Sequence, residues 1–128
     1  MDKLKNLTME LTGIGVENHL FLDIFKPLKH TTGRIAKRFS ISYDRAFTVL
    51  EECVEKLKDY DFYFLIEMEN GREVVAVETD HGLVILIVLS KRQAGGQLIP
   101  ITSLNPEQAV IHYDGTEHSI AKLIANIQ

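Results

Sequence analysis

Residues 62–89 decide the fold, and their sequence is FYFLIEMENGREVVAVETDHGLVILIVL. Apolar and polar side chains alternate before Asn70-Gly71, as they do on a strand with one buried face. Asn-Gly is the strongest short hairpin signal, because both residues tolerate the positive φ angles of a type I′ turn. The pattern therefore predicts a β-hairpin over 61–79.

The two-residue turn also predicts the register of this hairpin, because successive side chains point to opposite faces of a sheet. Three cross-strand pairs are expected: Glu69 with Arg72, Ile66 with Val75, and Phe64 with Val77. The two apolar pairs then share one face, and the pair of opposite charges closes the turn. This register is consistent with one buried face on the hairpin.

The run 83–89 follows a second turn at Asp80-His81-Gly82 and contains apolar residues only. A strand that is apolar on both faces is normally central in its sheet and covered on both sides. We therefore predict a central strand over 83–89, covered on its second face by helices, a second sheet or a partner. The run is too short to cross a bilayer as a helix, which needs about 20 residues.

Helical periodicity replaces this alternation upstream of the sheet. Apolar residues recur at three- and four-residue steps through 46–57, and Ser42 is suited to cap the helix that they form. We predict a long helix over 42–58, preceded by a shorter helix over 32–39 with Ser40-Ile41 as the turn.

The C-terminal part of the chain predicts short elements. Pro100 cannot donate a ladder hydrogen bond, so 98–101 is at best an edge strand. A short strand over 109–113 is expected to end at Asp114-Gly115. Thr116 is then suited to cap a C-terminal helix over 116–127, whose apolar residues form one stripe.

The first 25 residues fit two patterns. Leu7 and Leu11 belong both to an alternating pattern typical of a strand and to a helical stripe that begins at Leu4. The threonines and the break at Gly13-Ile14-Gly15 favour a strand. Residues 19–25 are expected to form a second strand or a short helix ended by Pro27.

The chain of 128 residues, 45% of them hydrophobic, fits one domain over 1–128. Its predicted class is α+β, with a mostly antiparallel sheet packed with the helices 42–58 and 116–127. Cys53 is the only cysteine and permits no internal disulfide, which fits a reducing cytosol. The N-terminus lacks the pattern of a signal peptide. We therefore expect a cytoplasmic protein that does not cross a membrane.

Charge is distributed unevenly along the chain. The net charge of −4 excludes a generally basic nucleic-acid binder. However, residues 26–45 contain six basic side chains and one acidic side chain, so this segment carries +5 and the remainder −9. A nucleic-acid site in this protein is therefore expected to be local and sensitive to salt.

The same basic segment carries a structural motif. Residues 35–50 read IAKRFSISYDRAFTVL, with small Ala36 where two helices approach and apolar side chains at the buried positions. The segment 32–58 resembles a helix-turn-helix, with Ser40 at the turn position where glycine is usual. Together with the hairpin that follows, the order of elements resembles that of a winged helix.

The resemblance implies DNA binding, because the second helix of such motifs enters the major groove with its first turns at the base edges. The residues expected nearest the bases are Ser42, Tyr43, Arg45 and Thr48. The residues expected to contact the phosphate backbone are Arg34, Lys37 and Arg38.

Candidate catalytic and metal-binding residues form no convincing set. The five histidines are His19, His30, His81, His112 and His118, and none is paired at the helical spacing that places two imidazoles on one metal. Proton-transfer groups cluster over 112–118, but Asp114-Gly115 is an ordinary turn there and Glu117 suits the first turn of a helix. Cys53 lies in an apolar stripe, so we interpret it as a small buried hydrophobe. We expect no enzymatic activity, no cofactor and no metal.

The alternative function is an acidic protein-protein interaction module, of the adaptor, inhibitor or immunity type, that does not bind nucleic acid. The segment 51–80 is rich in acidic residues, and both faces of the predicted sheet are apolar. A homodimer or another protein partner would then cover the sheet.

Overall fold

The computed structural model describes residues 2–89, 97–107 and 109–127. In these residues one sheet lies between two groups of elements, one packed on each of its faces. The helices of these residues are α1 (Asp2–Thr12), α2 (His19–Phe39), α3 (Tyr43–Lys58) and α4 (Ile120–Ala125). The strands are β1 (Tyr63–Glu67), β2 (Glu73–Thr79), β3 (Gly82–Leu89), β4 (Ile99–Leu104), β5 (Val110–Tyr113) and β6 (Thr116–Ser119). None of the helices described is long and apolar enough to cross a membrane.

The main sheet is antiparallel, with the strand order β1-β2-β3-β4, and β5 and β6 form a separate hairpin. The predicted α+β class is confirmed. The predicted central strand is also confirmed, because β3 pairs with β2 on one side and β4 on the other. Pro100 lies in β4 at the edge of the sheet, beside the register shift between Ile87 and Val88, and edge strands and bulges are where a sheet tolerates proline.

Each face of the sheet has its own hydrophobic core. Val75, Val77 and Leu86 are fully buried against the helices α1 to α3. Val74, Ala76 and Ile85 are fully buried on the other face, where Ile111 of β5 and Ile120 of α4 cover them. The chain itself therefore covers the second face of the apolar strand. Alternation of side chains along β2 and β3 places the buried valines and isoleucine in these two separate cores.

The preference for a strand at the N-terminus is wrong, because residues 2–12 form a helix. Leu4, Leu7 and Leu11 lie on its buried side. Thr8 Oγ1 donates a hydrogen bond to the carbonyl oxygen of Leu4 at 2.8 Å, which satisfies a buried hydroxyl inside the helix. Gly13 ends the helix with φ +69°, the left-handed conformation that glycine adopts most readily.

The second helix begins at His19, well before the start of the predicted helix 32–39, and it ends at Phe39 as predicted. Asn18 caps it, because its Oδ1 accepts a hydrogen bond from the amide of Leu20 at 2.9 Å. The helix then passes through Pro27, so the expected end at this proline is wrong. Phe21, Phe25, Leu28 and Ile35 are buried on one side of α2, and this packing holds the helix together across the missing hydrogen bond.

The hairpin is confirmed, but its predicted register is wrong. Ile66 pairs with Val74 and Phe64 with Val75, and the register shifts between Phe64 and Ile66. At the turn, Gly71 N donates to Met68 O and has φ +82°, whereas Asn70 has a negative φ. This geometry is that of a type I turn followed by a glycine bulge, which adds one residue to the loop.

The C-terminal helix is confirmed over a shorter range, because 116–119 belong to β6. Asp114 and Gly115 have φ angles of +54° and +72°, and they connect β5 to β6 as a two-residue turn. Thr116 pairs with Tyr113 across this turn, so it does not cap a helix. The helix begins at Ile120, whose side chain is fully buried.

Ile120→Ala tests whether this C-terminal cover belongs to the folded core. We expect the free energy of unfolding to fall by about 2–5 kcal/mol, because the substitution leaves a cavity in the second core. Urea denaturation followed by circular dichroism measures the loss. Leu20→Ala is the control, since Leu20 is 46% exposed, and it should change stability by less than about 0.5 kcal/mol. Equal effects from the two substitutions would contradict the assignment.

Candidate functional site

Residues 32–58 form two helices joined by a tight turn, as the sequence predicts. Ser40 adopts the left-handed conformation with φ +53° and ψ +47°, and its amide donates to the carbonyl oxygen of Lys37. Ile41 N donates to Ala36 O at 3.1 Å, which closes the end of α2. Ser42 then caps α3, because its Oγ accepts a hydrogen bond from Arg45 N at 3.2 Å.

A groove of about 910 Å³ runs beside this turn, between α2 and the end of β4. We call it the basic groove. Its lining residues are Lys29, His30, Gly33, Arg34, Lys37, Arg38, Tyr43, Ser103, Leu104 and Asn105. The basic residues lie on one face of α2, since positions three and four apart are neighbours on a helix. None of the described lining residues is acidic.

Arg34 joins the two walls of the basic groove. Its Nε donates a hydrogen bond to the carbonyl oxygen of Ser103 at 3.0 Å. A guanidinium has several other N–H donors, so Arg34 is held in place and still able to donate to a bound anion. The far wall of the groove therefore comes from a strand almost seventy positions later in the chain.

Arg38 is the most buried cation of the groove. Its guanidinium carbon lies 4.7 Å from the ring centroid of Phe39, a cation–π contact. Its Nη1 is buried and has no hydrogen-bond partner among the described residues. Burial lowers the pKa of Arg38, and the carboxylate of Glu107 partly opposes that shift. A buried donor without a partner is costly, so this atom favours a site that receives an acceptor.

The basic groove brings together four of the seven residues predicted to bind nucleic acid. Arg34, Lys37, Arg38 and Tyr43 line it. The other three lie outside its lining: the Ser42 hydroxyl caps α3, Arg45 is exposed, and Thr48 Oγ1 donates to Asp44 O at 3.3 Å. Binding by any of these residues stays a prediction.

Sequence reasoning missed two kinds of groove residue. Lys29 and His30 follow the same helical spacing as Arg34 and Lys37, so a helix predicted to begin before residue 29 would have included them. Ser103 and Asn105 are brought to the groove by the pairing of β4 with β3, and nothing in the local sequence marks them.

The remaining polar clusters are consistent with structural roles. The described part of the chain contains no group of histidine, cysteine and carboxylate side chains placed to hold a metal. His112 pairs with Glu117 across the β5-β6 hairpin, and the ring of His118 lies 6.1 Å from that of Tyr113. His81 is exposed in the turn between β2 and β3.

Comparison with known proteins identifies no relative of this chain. No family model matches the chain, and neither a curated protein nor a solved structure is detectably similar to it. The function must therefore be argued from the residues and their geometry.

The left-handed turn residue gives a prediction for stability. Serine is strained at φ +53°, and glycine adopts this conformation without that cost. Ser40→Gly should therefore raise the free energy of unfolding by about 0.5–1 kcal/mol, after the greater freedom of glycine in the unfolded chain is allowed for. Urea denaturation measures the change. Ser40→Ala is the control and should give no gain; a loss of stability in the glycine variant would show that the turn is not left-handed.

The single thiol gives a second prediction. Cys53 is fully buried in α3, and burial raises its pKa from the usual 9 to about 12. The folded protein should not react with a thiol reagent at pH 8, whereas the protein unfolded in urea should react fully. The stability that the neutral thiol contributes is complete below pH 9 and is lost as the pH rises towards 12. Rapid labelling of the folded chain would contradict this placement.

Proposed function

We propose that this protein binds nucleic acid, with the cations of the basic groove in contact with phosphates. One observation carries the proposal: four of the six basic residues of the segment 26–45 line a single groove in which no described lining residue is acidic. Lys29, Arg34, Lys37 and Arg38 line that groove together. Contacts between such side chains and phosphates supply most of the affinity that does not depend on sequence.

The acidic remainder of the molecule supports an oriented encounter. Residues outside 26–45 carry a net charge of −9, which repels a polyanion from the other surfaces. A nucleic acid would therefore approach with the basic groove facing it. The same charge distribution makes the proposed binding weak at high salt, because counterions screen the few groove cations.

The turn between α2 and α3 supports the proposal in a second way. Ser42 caps α3 and places Tyr43 at its first position, on the rim of the groove. Tyr43 is 38% exposed, so its ring is accessible to a base. We assign the phosphates to the cations of α2 and the nearest base to Tyr43. Arg45 and Thr48 lie farther along α3, outside the lining of the groove.

The acidic interaction module is the weaker candidate. Part of its support is the expectation that one apolar face of the sheet is uncovered. In the structure the chain's own C-terminal segment covers Val74, Ala76 and Ile85 on that face. A homodimer through the sheet loses the same support; the acidic density of 51–80 and the exposed side chains of Tyr63 and Phe64 on β1 remain. A cytoplasmic location, proposed on the single cysteine, suits either function.

Charge reversal in the basic groove tests the proposed function. The variant Lys29→Glu/Lys37→Glu changes two exposed groove residues. We expect its affinity for a fluorescently labelled oligonucleotide of mixed sequence to fall at least tenfold at about 50 mM salt. The slope of log K against log salt should decrease by about 1.5, since two phosphate contacts are lost. Fluorescence anisotropy measures both quantities.

Lys3→Glu/Lys5→Glu is the matched control. It makes the same change in net charge on the exposed side of α1, outside the lining of the groove. This variant should bind within about twofold of the unmodified protein, because the altered charges lie outside the proposed site. Equal losses in the two double variants would show that binding follows net charge alone. The absence of binding by the unmodified protein at low salt would overturn the proposal.

A further inference from the structure

We infer that the basic groove accommodates a single nucleic-acid strand rather than a duplex, with its phosphates along α2 and a base stacked on Tyr43. The inference rests on the proposed function and names the form of nucleic acid that the groove takes. Two features carry it: the chemistry of the two walls of the groove and the charge of the surfaces around it.

The two walls of the groove offer different chemistry. The α2 wall presents Arg34, Lys37 and Arg38 within about one helical turn of one another, and Lys29 more than one turn before them. The rim and the far wall are lined by Tyr43, Leu104, Asn105 and Ser103, and the carbonyl oxygen of Ser103 accepts the hydrogen bond from Arg34. Proteins that bind single strands combine these two elements, a positive groove for the backbone and an aromatic ring for stacking.

The surfaces on which a duplex would have to lie are acidic. Beyond its first turn, the exposed side of α3 carries Glu51 and Glu55, and Asp44 stands beside Arg45. The tip of the β1-β2 hairpin carries Glu67 and Glu69. In a winged helix-turn-helix protein the first turn of the second helix and the wing approach the duplex, so Asp44 and the carboxylates of the hairpin tip would repel its phosphates. A single strand held along α2 avoids both surfaces.

The experiment compares single-stranded DNA, single-stranded RNA and duplex DNA of one mixed sequence by fluorescence anisotropy at low salt. We expect the protein to bind the single-stranded DNA at least tenfold more tightly than the duplex. If the single-stranded RNA binds as tightly as the single-stranded DNA, the site does not distinguish ribose from deoxyribose. If only the single-stranded DNA binds, the site recognises deoxyribose. Equal or tighter binding of the duplex would overturn the inference and leave the proposed function standing. No binding of any of the three would overturn both.

Substitution of Tyr43 tests the stacked base. Tyr43→Ala should weaken binding of the single strand about tenfold, since stacking on an aromatic ring contributes that much per base. Tyr43→Phe keeps the ring and should bind within twofold of the unmodified protein. Tyr63→Ala is the control, because Tyr63 is 43% exposed on β1 and does not line the groove. Circular dichroism establishes that each variant folds. Unchanged binding by the alanine variant would overturn the stacking role of Tyr43.

Discussion

The apolar central strand β3 is the constraint on which the rest of the structure depends. Val84, Leu86 and Val88 face one core and Ile85 the other, so neither side of the strand can be left in water. The helices α1 to α3 cover one face, and the β5-β6 hairpin with α4 covers the other. This division leaves the outer side of α2 in solvent, where the cations of the basic groove lie. The site is therefore built on the exposed surface of a helix whose inner surface is fixed by the sheet.

The sequence is most informative where one local rule acts alone. Ser42 predicts the start of α3 through its capping hydroxyl, and the apolar run 83–89 predicts a strand buried on both faces. The sequence is least informative where two rules compete. In residues 2–12 the threonines favour a strand, but their hydroxyls bond to the helix backbone and three leucines bury one face. At Asn70-Gly71 only the glycine takes a positive φ, so the turn gains a residue and the register shifts.

The residues of the candidate site also differ in how far the sequence predicts them. The cations at positions 34, 37 and 38 are visible from charge counting and helical spacing, because they belong to one helix. The far wall is different, since Ser103 and Asn105 reach the groove only through the pairing of β4 with β3. A pattern in one sequence does not predict which distant strand will lie beside a given helix. The shape of a site made from two elements, and hence the form of its ligand, must come from the fold.

Leu104 belongs to both halves of the molecule. It lines the basic groove, and it packs against the second core together with Ile111 and Ile120. The rigidity of this part of the groove wall therefore depends on the β5-β6 hairpin and α4 behind it. A ligand that binds the groove only in the folded state stabilises the fold as a whole, and with it the C-terminal cover, by linkage.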